Sequence, residues 1–199
     1  MATQYLVEVS DLDVSIREIQ ASDARRRVAA SRALNRAADS VRTSSARQIL
    51  DEIALPKNYL APSSGRFSVS QRANPDGLEA KITARFRPTS LARFVRGTPR
   101  RGEPVAVEVK PGSTQRIPRA FLIPLKAGSA DLDTKANMGL AVRTRGGALR
   151  ASRAAKRLAP GLYLLYGPSV SQAFGQIADV KGRDASEIFT EEFFRQLDL

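Results

Sequence analysis

Apolar positions along this chain follow two rhythms. Between residues 22 and 54, Val28, Leu34, Ala38, Val41, Ile49 and Ile53 fall close to a 3.6-residue repeat, and Ala30, Ala37 and Ala46 widen the stripe. Arg25, Arg26, Arg27, Arg32, Arg36, Arg42 and Arg47 take other positions. No Gly or Pro interrupts the segment before Pro56, and Ser22 or Asp23 stands where a cap belongs. The spacing predicts one helix, ~45–50 Å long at 1.5 Å per residue. Its Ala-rich face lets a second element approach closely, either within the core or, at a protruding end, on a neighbouring subunit.

Beyond that helix the period drops to two. In residues 78–87, Leu78, Ala80, Ile82, Ala84 and Phe86 share one face of a half-buried antiparallel strand. The NPDG turn at 74–77 pairs it with residues 66–72 as a hairpin. Residues 104–110 alternate through Val105, Val107 and Val109, and 118–125, 138–143 and 162–166 read as further strands. Residues 4–9 suggest a short strand, followed by an Asp11 or Asp13 cap and a helical turn or two at 15–20. GPS at 167–169 opens a short helix with Ser169 as cap. A final helix spans 183–198, with Ile188, Phe189, Phe193, Phe194 and Leu197 clustered on one side. Its acids Asp184, Glu187, Glu191 and Glu192 lie toward its N-terminal half, where the helix dipole favours them. The expected fold is α+β: an antiparallel sheet of four to six strands, a long N-terminal helix with a C-terminal helix packed against it, and extended basic loops at 95–104 and 143–161. A length of 199 residues suits one domain spanning 1–199.

Charge changes this picture most. The chain carries a formal +12, distributed unevenly. Residues 1–23 hold five acids and one base, and residues 179–199 hold six acids and three bases. The stretch 24–178 holds 28 bases against nine acids. Such a body needs something negative to face: nucleic acid, an acidic partner, or the acidic ends of neighbouring copies. Thr134–Ala178 has no acid and seven bases, a composition that self-repels unless a partner neutralises it. Arg143, Arg145, Arg150, Arg153, Lys156 and Arg157 are therefore the candidate DNA or partner contacts.

The residue alphabet narrows the chemistry. With no Cys and no His, disulfides, thiolate metal sites, Ser-His-Asp triads and Cys-His dyads cannot be built. No phosphate-cradling glycine motif occurs, and no catalytic residue, cofactor or metal is expected. Asp131 and Asp133 form a lone DxD that a hard cation could use, but such a pair more often belongs to a solvated turn. No apolar run reaches the ~18–20 residues of a membrane span, and the first residues lack the marks of a signal peptide. The expected place of synthesis is a cytosol. Aromatics are sparse and Trp is absent, so phosphate contact fits better than base stacking.

Four strings, in this order, carry a resemblance: SRALNRAADSVRTSSARQIL (31–50), RPTSLARF (87–94), RIPRAFLIPL (116–125) and LYGPSVSQAF (165–174), followed by an acidic-aromatic terminal helix. Together they resemble the minor tail protein Z family of long-tailed phages and prophages, from about residue 25 to the end. Residues 1–24 fit least and read as an appendage. The resemblance implies a structural virion protein, not an enzyme. It implies a subunit of a ring, commonly six-fold, that completes the head-proximal end of the tail and helps head–tail joining and DNA positioning. Implied partners are further copies of the chain, tail terminator, tube or head-completion proteins, and phage DNA through its phosphates. Candidate subunit contacts are Tyr166, Pro168 and Gln172, in or beside a segment that could equally be a strand–helix corner in the core, and Glu191 and Glu192 on the acidic helix. A non-sequence-specific DNA-binding or packaging protein is the alternative, and a nuclease using Asp131 and Asp133 is a more distant one.

Overall fold

The computed structural model of the chain describes residues 3–5, 19, 23–56, 58–125, 129–144, 149 and 154–198. The fold is α+β. Its elements, in order, are β1 (Thr3–Tyr5), α1 (Ala24–Glu52), β2 (Phe67–Gln71), β3 (Lys81–Ala84), β4 (Thr89–Ser90), β5 (Val105–Lys110), β6 (Ser113–Ile117), β7 (Ala120–Pro124), β8 (Met138–Arg143), β9 (Ala155–Ala159), β10 (Leu162–Gly167) and α2 (Val170–Leu197). They group into two compact units. The first comprises residues 1–49, 58–86 and 170–199, and the second 50–57 and 87–169.

In the first unit, α1 starts where the sequence places it. The Asp23 carboxylate accepts the backbone N–H of Arg26 at 2.9 Å, a side-chain cap on an orphan donor. The buried face is made of small residues more than of the large ones: Ala29, Ala30, Ala33, Ala37, Ala38 and Ala46 are buried with Val41 and Ile49, whereas Val28 and Leu34 are only partly covered. The small side chains leave room for bulky neighbours. Ala30, Ala33 and Ala37 share a cluster with Leu78 and with Phe189 of α2.

Three polar residues of α1, Asn35, Asp39 and Arg42, recur at i, i+4 and i+7 and tie down the chain between 60 and 73. The Asn35 amide both donates to and accepts from the Ala73 backbone at 2.9 Å, replacing a ladder partner. Asp39 takes Arg72 in a two-pronged pair at 2.9 and 3.0 Å. Arg42 donates to the carbonyls of Leu60 and Phe67, and its guanidinium lies 5.6 Å from the Phe67 ring centroid. Burial lowers the Arg42 pKa, and nearby Asp39 opposes that shift. The Phe67 ring itself is fully buried and packs tilted on Phe174 of α2, with centroids 5.0 Å apart.

The expected hairpin is present. β2 pairs antiparallel with β3, with a register irregularity between Val69 and Gln71, and β1 adds on the other side of β3. Asn74 closes the turn by accepting the N–H groups of Asp76 and Gly77. Phe86, expected on the core face, is instead exposed, because the strand ends at Ala84. The C-terminal region is one 28-residue helix rather than two, and Gly182 is buried within it. Phe194 departs from the expected apolar cluster: Phe189 is buried, but Phe194 is 59% exposed. At 100° per residue, Phe194 projects about 140° away from Phe189.

The second unit holds a five-stranded antiparallel sheet, ordered β4-β10-β8-β7 with β9 also on β10, and a two-stranded β5-β6 ribbon. Its core gathers Leu91, Phe94, Val95, Val105, Val107, Ala120, Met138 and Leu140. A side chain at Gly167 would lie 2.8 Å from Phe94, so that strand end accepts only glycine without movement. Two strands, β6 and β9, lie outside the expected ones. β6 (STQRI) is almost wholly exposed and carries no apolar alternation; its signal was the Pro111–Gly112 turn. β9 (AKRLA) falls inside the stretch expected to be a cationic loop, where pairing with β10 orders it. The strand at 6–9, the caps at Asp11, Asp13 and Ser22, and the turns at 15–18 and Gln20 lie outside the described residues.

Arg42→Met removes two hydrogen bonds from a charged donor, each worth about 1.5–3 kcal/mol. Because the Arg42 side chain is only partly buried, the loss should fall below the sum of the two, lowering the unfolding free energy by about 2–4 kcal/mol, against about 0.5 kcal/mol or less for Arg47→Met on the exposed face, as read by urea denaturation. Equal effects of the two would contradict the anchoring role.

Candidate functional site

The second unit carries a cleft of about 760 Å³. Its walls combine Arg100 and Arg101 from the loop before β5, Arg119 from the β6–β7 turn, Lys135 from the loop before β8, and Arg143 from the end of β8. Phe121, Leu122 and Leu132 supply apolar surface, and Glu103 and Asp133 are the acids of the lining. Two cationic stretches that lie apart in the sequence, 95–104 and the start of 143–157, thus meet at one place. The Arg143 guanidinium lies 5.7 Å from the Phe121 ring centroid. Among the described residues, none of the five cations is in an ion pair.

The backbone at two of these cations is unusual. Arg119 has φ +57° and Lys135 has φ +56°, in the left-handed region that glycine occupies most easily. For a residue with a Cβ that conformation costs on the order of 1–2 kcal/mol. Arg119 follows Pro118 directly in the turn, a place where Gly is the usual occupant.

Of the other expected contact residues, Lys156 and Arg157 stand exposed on β9, paired with Leu164 and Tyr163 of β10. Arg145, Arg150 and Arg153 lie outside the described residues. Tyr166 and Pro168 are half-buried at the β10 end, where the Pro168 carbonyl accepts the N–H of Thr89. Gln172, in the first turn of α2, is exposed, while Ser169, Val170, Ser171, Ala173 and Phe174 around it are buried. The 167–174 segment is therefore a packed corner with one outward amide.

Glu191 and Glu192 separate. Glu191 is exposed. Glu192 is held by Arg195 at 2.9 and 2.6 Å and by Gln196 at 2.9 Å, and these hydrogen bonds take its carboxyl from an ordinary 4.5 to about 2. Sequence inspection missed a pattern on α2. Val180, Arg183, Glu187, Glu191, Phe194 and Asp198 recur at helical spacing, and all are exposed. That stripe sets two large apolar groups, Val180 at 58% and Phe194 at 59% exposure, among three carboxylates and one cation.

The Asp131–Asp133 pair serves its own turn. The Asp131 carboxylate accepts the N–H groups of Asp133 and Thr134 and the Thr134 hydroxyl at 2.7 Å, and that last bond leads in holding its pKa low. Among the described residues no three of Asp, Glu, His or Cys converge as a metal site would require, and no helix is long and apolar enough to cross a membrane.

No protein-family model matches the chain, and neither a curated protein nor a solved structure does.

The depressed Glu192 carboxyl sets a direction for acid sensitivity. A folded-state pKa below the unfolded one stabilises fully above about 4.5, and that contribution is lost as pH falls toward 2. The melting temperature of the wild type should therefore fall more steeply over that window than that of Glu192→Gln. Parallel curves would contradict the pairing.

Proposed function

We propose that this chain is a structural subunit of a long-tailed phage particle. It joins copies of itself in a ring, commonly six-fold, at the head-proximal end of the tail. There it completes the tail, helps head and tail to join, and positions DNA for exit. Its chemistry is assembly, without a catalytic step.

The observation that carries this reading is where the four family-like strings fall. Residues 31–50 contain the Asn35–Asp39–Arg42 anchors. Residues 87–94 form β4 and a short 3-10 turn whose Leu91 and Phe94 are core. Residues 116–125 contain the β6–β7 turn with its left-handed Arg119. Residues 165–174 are the packed corner between β10 and α2. Each string thus covers residues that build the fold, and this supports the family resemblance. Opposite charge on separate surfaces supports the ring: head-to-tail interfaces join two different patches, and here one is acidic and another basic.

The exposed cations Arg143, Lys156 and Arg157 favour a second reading, contact with DNA phosphates without base recognition. Affinity for duplexes of any sequence that falls steeply with salt would mark that role.

Deleting the gene from a phage or prophage that carries it tests the main reading, with particles viewed by negative-stain electron microscopy. Filled heads beside unattached tails, or joined particles that fail to deliver DNA, are expected. Normal infectious particles would overturn it.

A further inference from the structure

We propose that the cationic cleft of the second unit seats the C-terminal half of α2 from a second copy of the chain. This rests on the ring-subunit reading and names the contact that would build the ring.

The cleft asks for an occupant that is both acidic and apolar. Arg100, Arg101, Arg119, Lys135 and Arg143 set five positive charges around Phe121 and Leu132, and Leu132 is 62% exposed. A phosphate backbone would satisfy the charges and leave the apolar surface wet. An amphipathic acidic helix satisfies both. The chain carries such a helix. Glu187, Glu191 and Phe194 lie on one exposed face of α2, and Asp198, one residue past its end, continues the spacing of four, three and four residues. Leu132 and Phe194 are the most exposed of the large hydrophobic side chains described. Each has the character of an anchor that a partner covers, ringed by charge of opposite sign. Arg183 on the same stripe has Glu103 and Asp133 of the cleft as complements. Glu192 is excluded from the contact, because Arg195 and Gln196 already hold it.

The backbone gives an independent reason. Arg119 and Lys135 both occupy the left-handed conformation, where glycine would sit without strain. Strain kept at two lining cations, and relieved by a simple substitution, is a common mark of a residue held for binding and not for folding.

Sedimentation velocity of the purified full-length chain tests the contact. The wild type is expected to self-associate. Reversing the helix (Glu187→Lys with Glu191→Lys) or the cleft (Arg100→Glu with Arg101→Glu) should weaken association by about tenfold or more, the scale of close interfacial charge pairs. Mixing the two reversed proteins should restore association, since the now basic helix of one meets the now acidic cleft of the other, and the intact acidic helix of the second meets the intact basic cleft of the first. Arg119→Gly should weaken association while the melting temperature stays the same or rises, an outcome a folding role would not give. The proposal falls if the wild type remains monomeric, or if both reversals associate as the wild type does. It also falls if the cleft reversal abolishes binding of a duplex DNA probe and leaves association intact, which would assign the cleft to nucleic acid. These results are separable from the virion role: that role fails only if deletion leaves infectious particles, whatever the purified chain does.

Discussion

The first unit depends on one row of polar side chains along a helix that is otherwise small and apolar. Asn35, Asp39 and Arg42 each hold a different kind of group: a strand-like backbone pair, a guanidinium, and two carbonyls. The segment they hold runs from Leu60 to Ala73 and contains Phe67, whose ring meets Phe174. An Ala face alone would give α1 little to distinguish one register from another. Hydrogen bonds are directional and costly to leave unmade when buried, so this row selects a single arrangement of helix and hairpin.

The second constraint is charge. Twenty acids face 32 bases in the whole chain, and much of the acid is already engaged. Among the described residues, Asp23, Asp39, Glu79, Glu108, Asp184 and Glu192 are in ion pairs, and Asp131 closes its own turn. Glu108 is held twice over, by Arg96 and by the Gly112 N–H, which lower its pKa. Local pairing thus uses the acids next to bases and leaves two surfaces of opposite sign: the cleft cations, and the carboxylates on the α2 stripe. Surfaces of this kind steer association and select partners more than they stabilise a fold. A chain built this way is suited to meeting other chains, and the proposed assembly rests on its charge as much as on its family-like strings.

The parts of this structure that could be read from the sequence are those with a local cause. The α1 cap at Asp23, the β2–β3 hairpin around Asn74–Gly77, and the strand Met138–Arg143 follow from turn chemistry and alternation. β9 and β6 escaped because their pattern is cationic or polar, and only their cross-strand partners make them strands. Arg42 looked like one more solvated arginine, since nothing in a 3.6-residue count reveals which arginine meets two carbonyls. Of the candidate site, the sequence singled out Arg143, which is exposed and lines the cleft. It missed Arg100, Arg101, Arg119 and Lys135 as its companions, because their convergence is a matter of topology. The exposed stripe through Glu187, Glu191 and Phe194 was legible in principle. Grouping Phe194 with the inward aromatics concealed it.

In the proposed assembly, opposite charges on separate copies hold the subunits together. The most direct measurement is the association constant of the purified chain across a range of salt. The Debye length shrinks from about 10 Å at 0.1 M to about 3 Å at 1 M, so an interface of this kind should weaken progressively over that range. Association that is unchanged, or that strengthens with salt as a purely apolar interface would, contradicts an interface held by charge.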